Sequence, residues 1–202
     1  MNNYRPISEF EIQTLTALGC TCDDWSRVSV AADGFDATRV RQVHLSGDLE
    51  LGATGGEIGD ESALAKPCGI YNAHLHDCSI GDGCRIANIG QHISRYTIGD
   101  AVAIEDVGLM ATTPDATFGN GVEIEPLNEG GGREVALFNR LDSQFAHLLC
   151  VHRYRPKLTA TLQAIAQAEA GKVKGPRGCI GTAARMAGVS ASSTSTSAPT
   201  PV

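Results

Sequence analysis

Three histidines stand in a pattern that could do chemistry. His74-Leu75 lies five residues before Ile80-Gly81, and His92-Ile93 lies five before Ile98-Gly99, so a His-apolar pair recurs 18 residues apart. His76 follows His74 by two, which on an extended strand puts both side chains on one side. If Leu75 and Ile93 point inward, His74 and His92 face outward on neighbouring strands, and three imidazoles share a patch. The opposite phase, counted in strict sixes back from Ile80 and Ile98, buries His74 and His92 as a hydrogen-bonded core pair with no ligand. On the outward reading, an imidazole titrating near neutral pH takes a proton from a hydroxyl or amine nucleophile. A backbone amide or the side chain of Asn72 or Asn88 then stabilises the oxyanion. The catalytic candidates are His76 first, then His74 and His92, with Asn72 and Asn88 as substrate contacts. Three neutral imidazoles with one open position could instead hold zinc, although no metal ligand set is assigned.

A second candidate is the loop Asn128-Glu129-Gly130-Gly131-Gly132-Arg133-Glu134. Consecutive glycines let backbone amides approach and cradle a phosphate, and Arg133 could clamp phosphate or carboxylate in two-pronged fashion. Asn128, Glu129, Arg133 and Glu134 are thus candidate substrate contacts. No Lys-Ser/Thr follows, so this is not a nucleotide-binding fingerprint. A flexible exit loop with an Arg133 ion pair to Glu129 or Glu134 explains the same residues. His152, Arg153, Arg155 and Lys157 form a basic cluster at a helix end, where positive charge complements the helix dipole or meets an anion. Cys78 and Cys84 fall at small inward positions and behave as buried apolar residues. Cys20-Thr21-Cys22 has the wrong spacing for redox or zinc work, which leaves no candidate catalytic cysteine.

These residues must be positioned by a repeat. Ile80-Gly81-Asp82-Gly83-Cys84-Arg85-Ile86, Ile98-Gly99-Asp100-Ala101-Val102-Ala103-Ile104, Phe118-Gly119-Asn120-Gly121-Val122-Glu123-Ile124 and Ile180-Gly181-Thr182-Ala183-Ala184-Arg185-Met186 match one template. The first interval is 18 residues, three sixes, and six residues make one short strand and a corner that glycine permits. The predicted fold is mainly β: a left-handed parallel β-helix of stacked hexapeptide coils, with an N-terminal capping helix and a helical insertion. Residues 1–39 form the helix and lead-in. Ser8 and Glu11 make a capping box, Ile7 and Ile12 a hydrophobic staple, and Gly19 the stop. Residues 40–128 form the coils, and 129–175 the glycine-rich loop and helical insertion. In that insertion Leu141, Phe145, Leu148, Leu149 and His152 share helical spacing, Pro156 kinks or ends that helix, and Leu158, Leu162 and Ile165 predict a second one. Residues 176–189 return to a coil, and 190–202, with eight Ser or Thr and two Pro, form a disordered tail. A last coil with nothing stacked on it points to a truncated or frame-altered form of a longer protein, or else to a short natural member whose tail is a solvated linker.

The repeat resembles the hexapeptide-repeat superfamily, whose best-known members are acyltransferases of sugars and sugar nucleotides. More narrowly, Tyr4-Arg5-Pro6, Gly69-Ile70-Tyr71-Asn72, Ile80-Gly81-Asp82, Gly131-Gly132-Arg133-Glu134-Val135 and Tyr154-Arg155-Pro156 are similar to an uncharacterised bacterial family of longer proteins with a domain of unknown function. The broader resemblance implies acyl transfer to a sugar or nucleotide sugar, an acyl-CoA or other acyl thioester as donor, and a homotrimer with sites between subunits. Two other classes stay open: a non-catalytic scaffold or binding module, and a metal-dependent lyase using the histidines.

Composition bounds these readings. The 202 residues suffice for one domain with an appendage, and 42% hydrophobic with 19% charged residues indicates a folded body. A net charge of -7 argues against binding a nucleic-acid backbone. No apolar run reaches the roughly 20 residues of a membrane span, and the first residues show no signal pattern. Seven cysteines without a small-scaffold spacing fit a reduced, cytoplasmic protein.

Overall fold

The computed structural model describes residues 3–59, 64–113, 116–124, 134–190 and 192–194. Large aliphatic residues stack in three columns, each column being the register of a run of parallel strands. Val40, Ile70, Ile86, Ile104 and Met186 align in one. Leu45, Leu75, Ile93 and Met110 align in the second, and Val30, Leu51, Ile80, Ile98 and Ile180 in the third. All but Ile180 and Met186 are buried. Each fully buried side chain of this size contributes about 1.5–3 kcal/mol, so the columns are the main stabilising element of this unit.

The strands carrying them form two sheets. A six-stranded sheet runs Tyr4–Pro6, Val28–Ala31, Leu49–Leu51, Ser79–Ile80, Tyr96–Ile98, Gly178–Ile180, and only its first pair is antiparallel. The nine-stranded sheet centres on Gly69–His76, with Val40–Ser46 and then Thr21–Cys22 on one side. On its other side the first half of Gly69–His76 pairs with Arg85–Ile89 and the second half with Ile93–Ser94. The strand bends between the halves at Asn72, whose φ is +49°. Gln42, Asn88 and Asp106 take the same left-handed conformation at the matching bends (φ +54° to +57°). Asparagine and aspartate tolerate that conformation because their short polar side chains bond locally.

The expectation of a mainly-β left-handed parallel β-helix is corrected. Among the described residues the molecule is an α/β-type arrangement of mixed sheets, with antiparallel pairs at Tyr4–Pro6/Val28–Ala31, Glu57–Ile58/Lys66–Pro67 and Glu123–Ile124/Val135–Ala136, and with three α-helices. The regular period does not extend far. Paired residues are 18 apart at Leu75/Ile93 (93 − 75) but 30 apart at Leu45/Leu75 (75 − 45) and 82 apart at Ile98/Ile180 (180 − 98). The third copy of the repeat leaves the stack altogether. Its Glu123–Ile124 strand pairs antiparallel with Val135–Ala136, with Val122 and Ile124 43% and 38% exposed. The Ile180 copy takes the position beside Tyr96–Ile98 instead.

Gly81 serves a different purpose from the expected corner, whereas Gly119 in the third copy does take a left-handed φ of +82°. Gly81 has no left-handed φ, but a Cβ there would lie 2.7 Å from the carbonyl carbon of Gly99. It is needed for close strand approach rather than for turning.

The helix Glu9–Ala17 is capped as its sequence predicts. The Glu11 amide donates to Ser8 Oγ, the Ser8 amide donates to Glu11 Oε2 at 2.9 Å, and Gly19 follows the end with φ +79°. Glu11 also takes a two-pronged bond from Arg5, at 2.7 and 2.9 Å. The Arg5 hydrogen bonds hold the Glu11 carboxyl at about 2, well below its ordinary 4.5. Because the folded value is depressed, this contribution is complete above pH 4.5 and lost as the pH falls toward 2. Glu11→Gln should therefore cost about 1–2 kcal/mol near neutrality and almost nothing at the acid end of that window. Urea titrations at both ends check this, and an equal loss at each pH would refute it.

The chain divides into two units, Met1–Thr112 with Arg177–Ser193, and Thr113–Pro176 with Thr194–Val202. Within the second, Asp142 caps the helix Ser143–Val151 through the Phe145 amide. Pro156 opens the next helix, Pro156–Gly171, where its missing N–H costs nothing, rather than kinking or ending a helix. Leu149 and Leu162 pack on Val135, and Phe138 meets Phe145 edge-on at 5.1 Å. Among the described residues no helix is long and apolar enough to cross a membrane.

Candidate functional site

The second column decides where the histidines point. Leu45, Leu75 and Ile93 are wholly buried, so their neighbours on each strand face outward. His74 is exposed, and His44, His76 and His92 are half-buried. The outward phase therefore holds, and the buried core pair does not form. His44 stands directly opposite His74 on the paired strands, ring centroids 5.3 Å apart. His92 continues the row, since Ile93 is in register with Leu75. Two residues along, Ser46, His76 and Ser94 make a second row. Together these side chains, with the Leu75 backbone between them, line an open cleft of about 270 Å³.

Within the cleft His76 is held from both sides. Ser46 Oγ lies 2.9 Å from Nδ1, and Asp77 Oδ2 lies 3.2 Å from Nε2. Asp77 is an ion-pair neighbour of the ring rather than a hydrogen-bond acceptor, and its negative charge favours a proton on Nε2 over one on Nδ1, which matches Ser46 Oγ as the donor to Nδ1. Asp77 is itself fixed. Its Oδ1 accepts the Asp48 amide at 2.9 Å, and a Cβ at Gly47 (φ +70°) would lie 2.1 Å from that oxygen. Only glycine at position 47 leaves the carboxylate room. His44 has a looser set of the same kind, with Thr21 Oγ1 2.8 Å from Nδ1 and Asp23 Oδ1 3.6 Å from Nε2.

The structure thus unites His74, His76 and His92, and adds His44, Ser46 and Asp77. A signal for these additions was present: His44-Leu45-Ser46, His74-Leu75-His76 and His92-Ile93-Ser94 share one pattern. The first copy is 30 residues from the second, outside the 18-residue period. Asn72 and Asn88 do not line this cleft. They occupy the row of left-handed bends, where the Asn88 amide donates to Asp106 at 2.9 Å. Asn128, Glu129 and Arg133 lie outside the described residues. Glu134 is half-buried beside the Val135–Ala136 strand of the other unit.

No group of three or more His, Cys, Asp or Glu among the described residues is arranged to hold a metal ion. The cysteines offer no nucleophile in the cleft. Burial pushes the Cys84 thiol up to about 11 and raises Cys78 as well. His152 caps the end of its helix beside Tyr154, and the Arg155 guanidinium lies over that ring.

Residues 4–194 match the family described as a domain of unknown function, DUF4954. The chain belongs to that family. An uncharacterized protein of Treponema pallidum (strain Nichols) is 32% identical over 190 residues, which cover 89% of this chain and 26% of that relative. The DUF4954 chain thus spans about a quarter of the relative's length, as a portion of a longer family. No solved structure matches it, and kinship to the hexapeptide-repeat superfamily finds no support beside the DUF4954 match.

Proposed function

We propose that the histidine cleft performs acyl-group transfer to a hydroxyl compound or water by acid-base catalysis on His76. The observation that carries this reading is His76 in a cleft with Ser46 Oγ hydrogen-bonded to Nδ1 at 2.9 Å and the Asp77 carboxylate 3.2 Å from Nε2. Among the described residues the His74 ring has no hydrogen-bond partner, and with His92 it supplies N–H donors for an oxyanion. A volume of about 270 Å³ suits an acyl group and its carbonyl rather than a whole nucleotide sugar. A sugar or nucleotide-sugar acceptor would extend past the cleft mouth, and an acyl thioester is the donor class. The reduced, cytoplasmic setting belongs to the same proposal, supported by seven unpaired cysteines.

The test is turnover of 4-nitrophenyl acetate, an activated acyl ester. His76→Ala should lower the rate about 10²–10⁴-fold, the usual worth of a positioned base. An unchanged rate in that variant, or none above background in the parent, would remove the acyl-transfer reading and favour a binding role.

A further inference from the structure

Resting on that reading, a second deduction concerns what His76 can reach. Neither of its ring nitrogens is open: Nδ1 is hydrogen-bonded to Ser46, and Nε2 is faced by the Asp77 carboxylate at 3.2 Å. A substrate hydroxyl cannot lose its proton to His76 without first displacing one of them. The hydroxyl already in place is that of Ser46. Its oxygen also lies 3.3 Å from the Leu75 carbonyl, but it has one proton to give, and the 2.9 Å contact to the Nδ1 lone pair is the shorter. Ser46 ends its strand, is half-buried and lines the cleft, so a carbonyl carbon can approach Oγ from the open side.

We infer that Ser46 is a covalent nucleophile, and that the cleft works by double displacement through an acyl-Ser46 ester. Ser46 Oγ attacks the carbonyl of an acyl ester or thioester while its proton passes to His76 Nδ1. The bond from carbonyl carbon to the leaving oxygen or sulfur breaks, and His76 returns the proton to that leaving group. An acceptor alcohol or water then gives its proton to Nδ1 and attacks the ester, and Ser46 leaves with the proton restored. Asp77 positions the ring throughout and stabilises the imidazolium formed in each half. The looser Thr21–His44–Asp23 set provides an internal comparison, because its carboxylate stands 3.6 Å from the ring and its hydroxyl is outside the cleft lining.

The purified chain, treated with 4-nitrophenyl acetate and followed by stopped flow and intact mass, tests this. The parent should show a burst and gain one acetyl group, mapped to Ser46. Ser46→Ala should lose burst and adduct, with turnover down about 10²-fold or more, whereas Thr21→Val should keep all three. Ser46→Cys should acylate as a thioester, so a loss confined to Ser46→Ala reports the missing nucleophile rather than a lost fold. An adduct that persists in Ser46→Ala, or a folded Ser46→Cys that fails to acylate, overturns the assignment. His76-dependent turnover with no adduct in the parent also overturns it, while leaving acid-base catalysis on His76 intact. Absence of His76-dependent turnover removes both readings.

Discussion

Leu75→Ala is expected to destabilise the unit that carries the cleft by about 3–5 kcal/mol, the upper range for truncating a leucine in a core that cannot collapse around the gap. Leu75 is 0% exposed and lies between Leu45 and Ile93 in the strand register, with both of those neighbours also wholly buried. The backbone of its strand is fixed by hydrogen bonds on both sides, so the surrounding strands cannot close the void. The Leu75 backbone runs between His74 and His76, whose side chains line the histidine cleft on the opposite face of the strand. The loss should appear as a lower urea midpoint with an unchanged slope. A change below about 1 kcal/mol would mean that the second column is not packed as described.

The second large effect concerns rate. Asp77→Asn should lower kcat for 4-nitrophenyl acetate on the order of 10³-fold while leaving KM and the unfolding midpoint nearly unchanged. An amide oxygen at position 77 can still accept the Asp48 amide, so the turn after Ser46 is kept. The amide nitrogen then faces His76 Nε2 and donates to it. That selects the other tautomer, places a proton on Nδ1, and turns the base away from Ser46. Asp77 is thus a positioning residue, and the split between kcat and KM separates this role from a merely structural one. Equal loss of stability and activity would show that Asp77 only holds the turn.

Much of the local structure was legible because it depends on near neighbours. Ser8 and Glu11 cap a helix through bonds three residues apart, and Gly19 ends it. The apolar residues beside the repeat glycines are buried in the first two copies, as Ile80, Ile98, Ile86 and Ile104 show. The outward patch of His74, His76 and His92 follows from strand alternation once Leu75 is known to be inside. That phase was ambiguous in the sequence, since both sixes from Ile80 and alternation around Leu75 were consistent with it.

The tertiary structure decided what depends on distant partners. The Phe118 copy satisfies the repeat template as well as the Ile180 copy does, yet the stack takes the latter. Asn120 instead binds Asn139 and Thr117 in the other unit, while its neighbour Val122 stays partly exposed. Pairing strengths of two similar short strands cannot be ranked from their own residues, because the deciding contacts come from the rest of the chain. For the same reason a mixed α/β-type arrangement replaced the regular solenoid that the period suggested. In the cleft, the identity of His76 as a candidate came from the sequence alone. Its partners came from the fold, which brings Ser46, 30 residues earlier, to Nδ1 and leaves beside Asp77 the space that only Gly47 can provide.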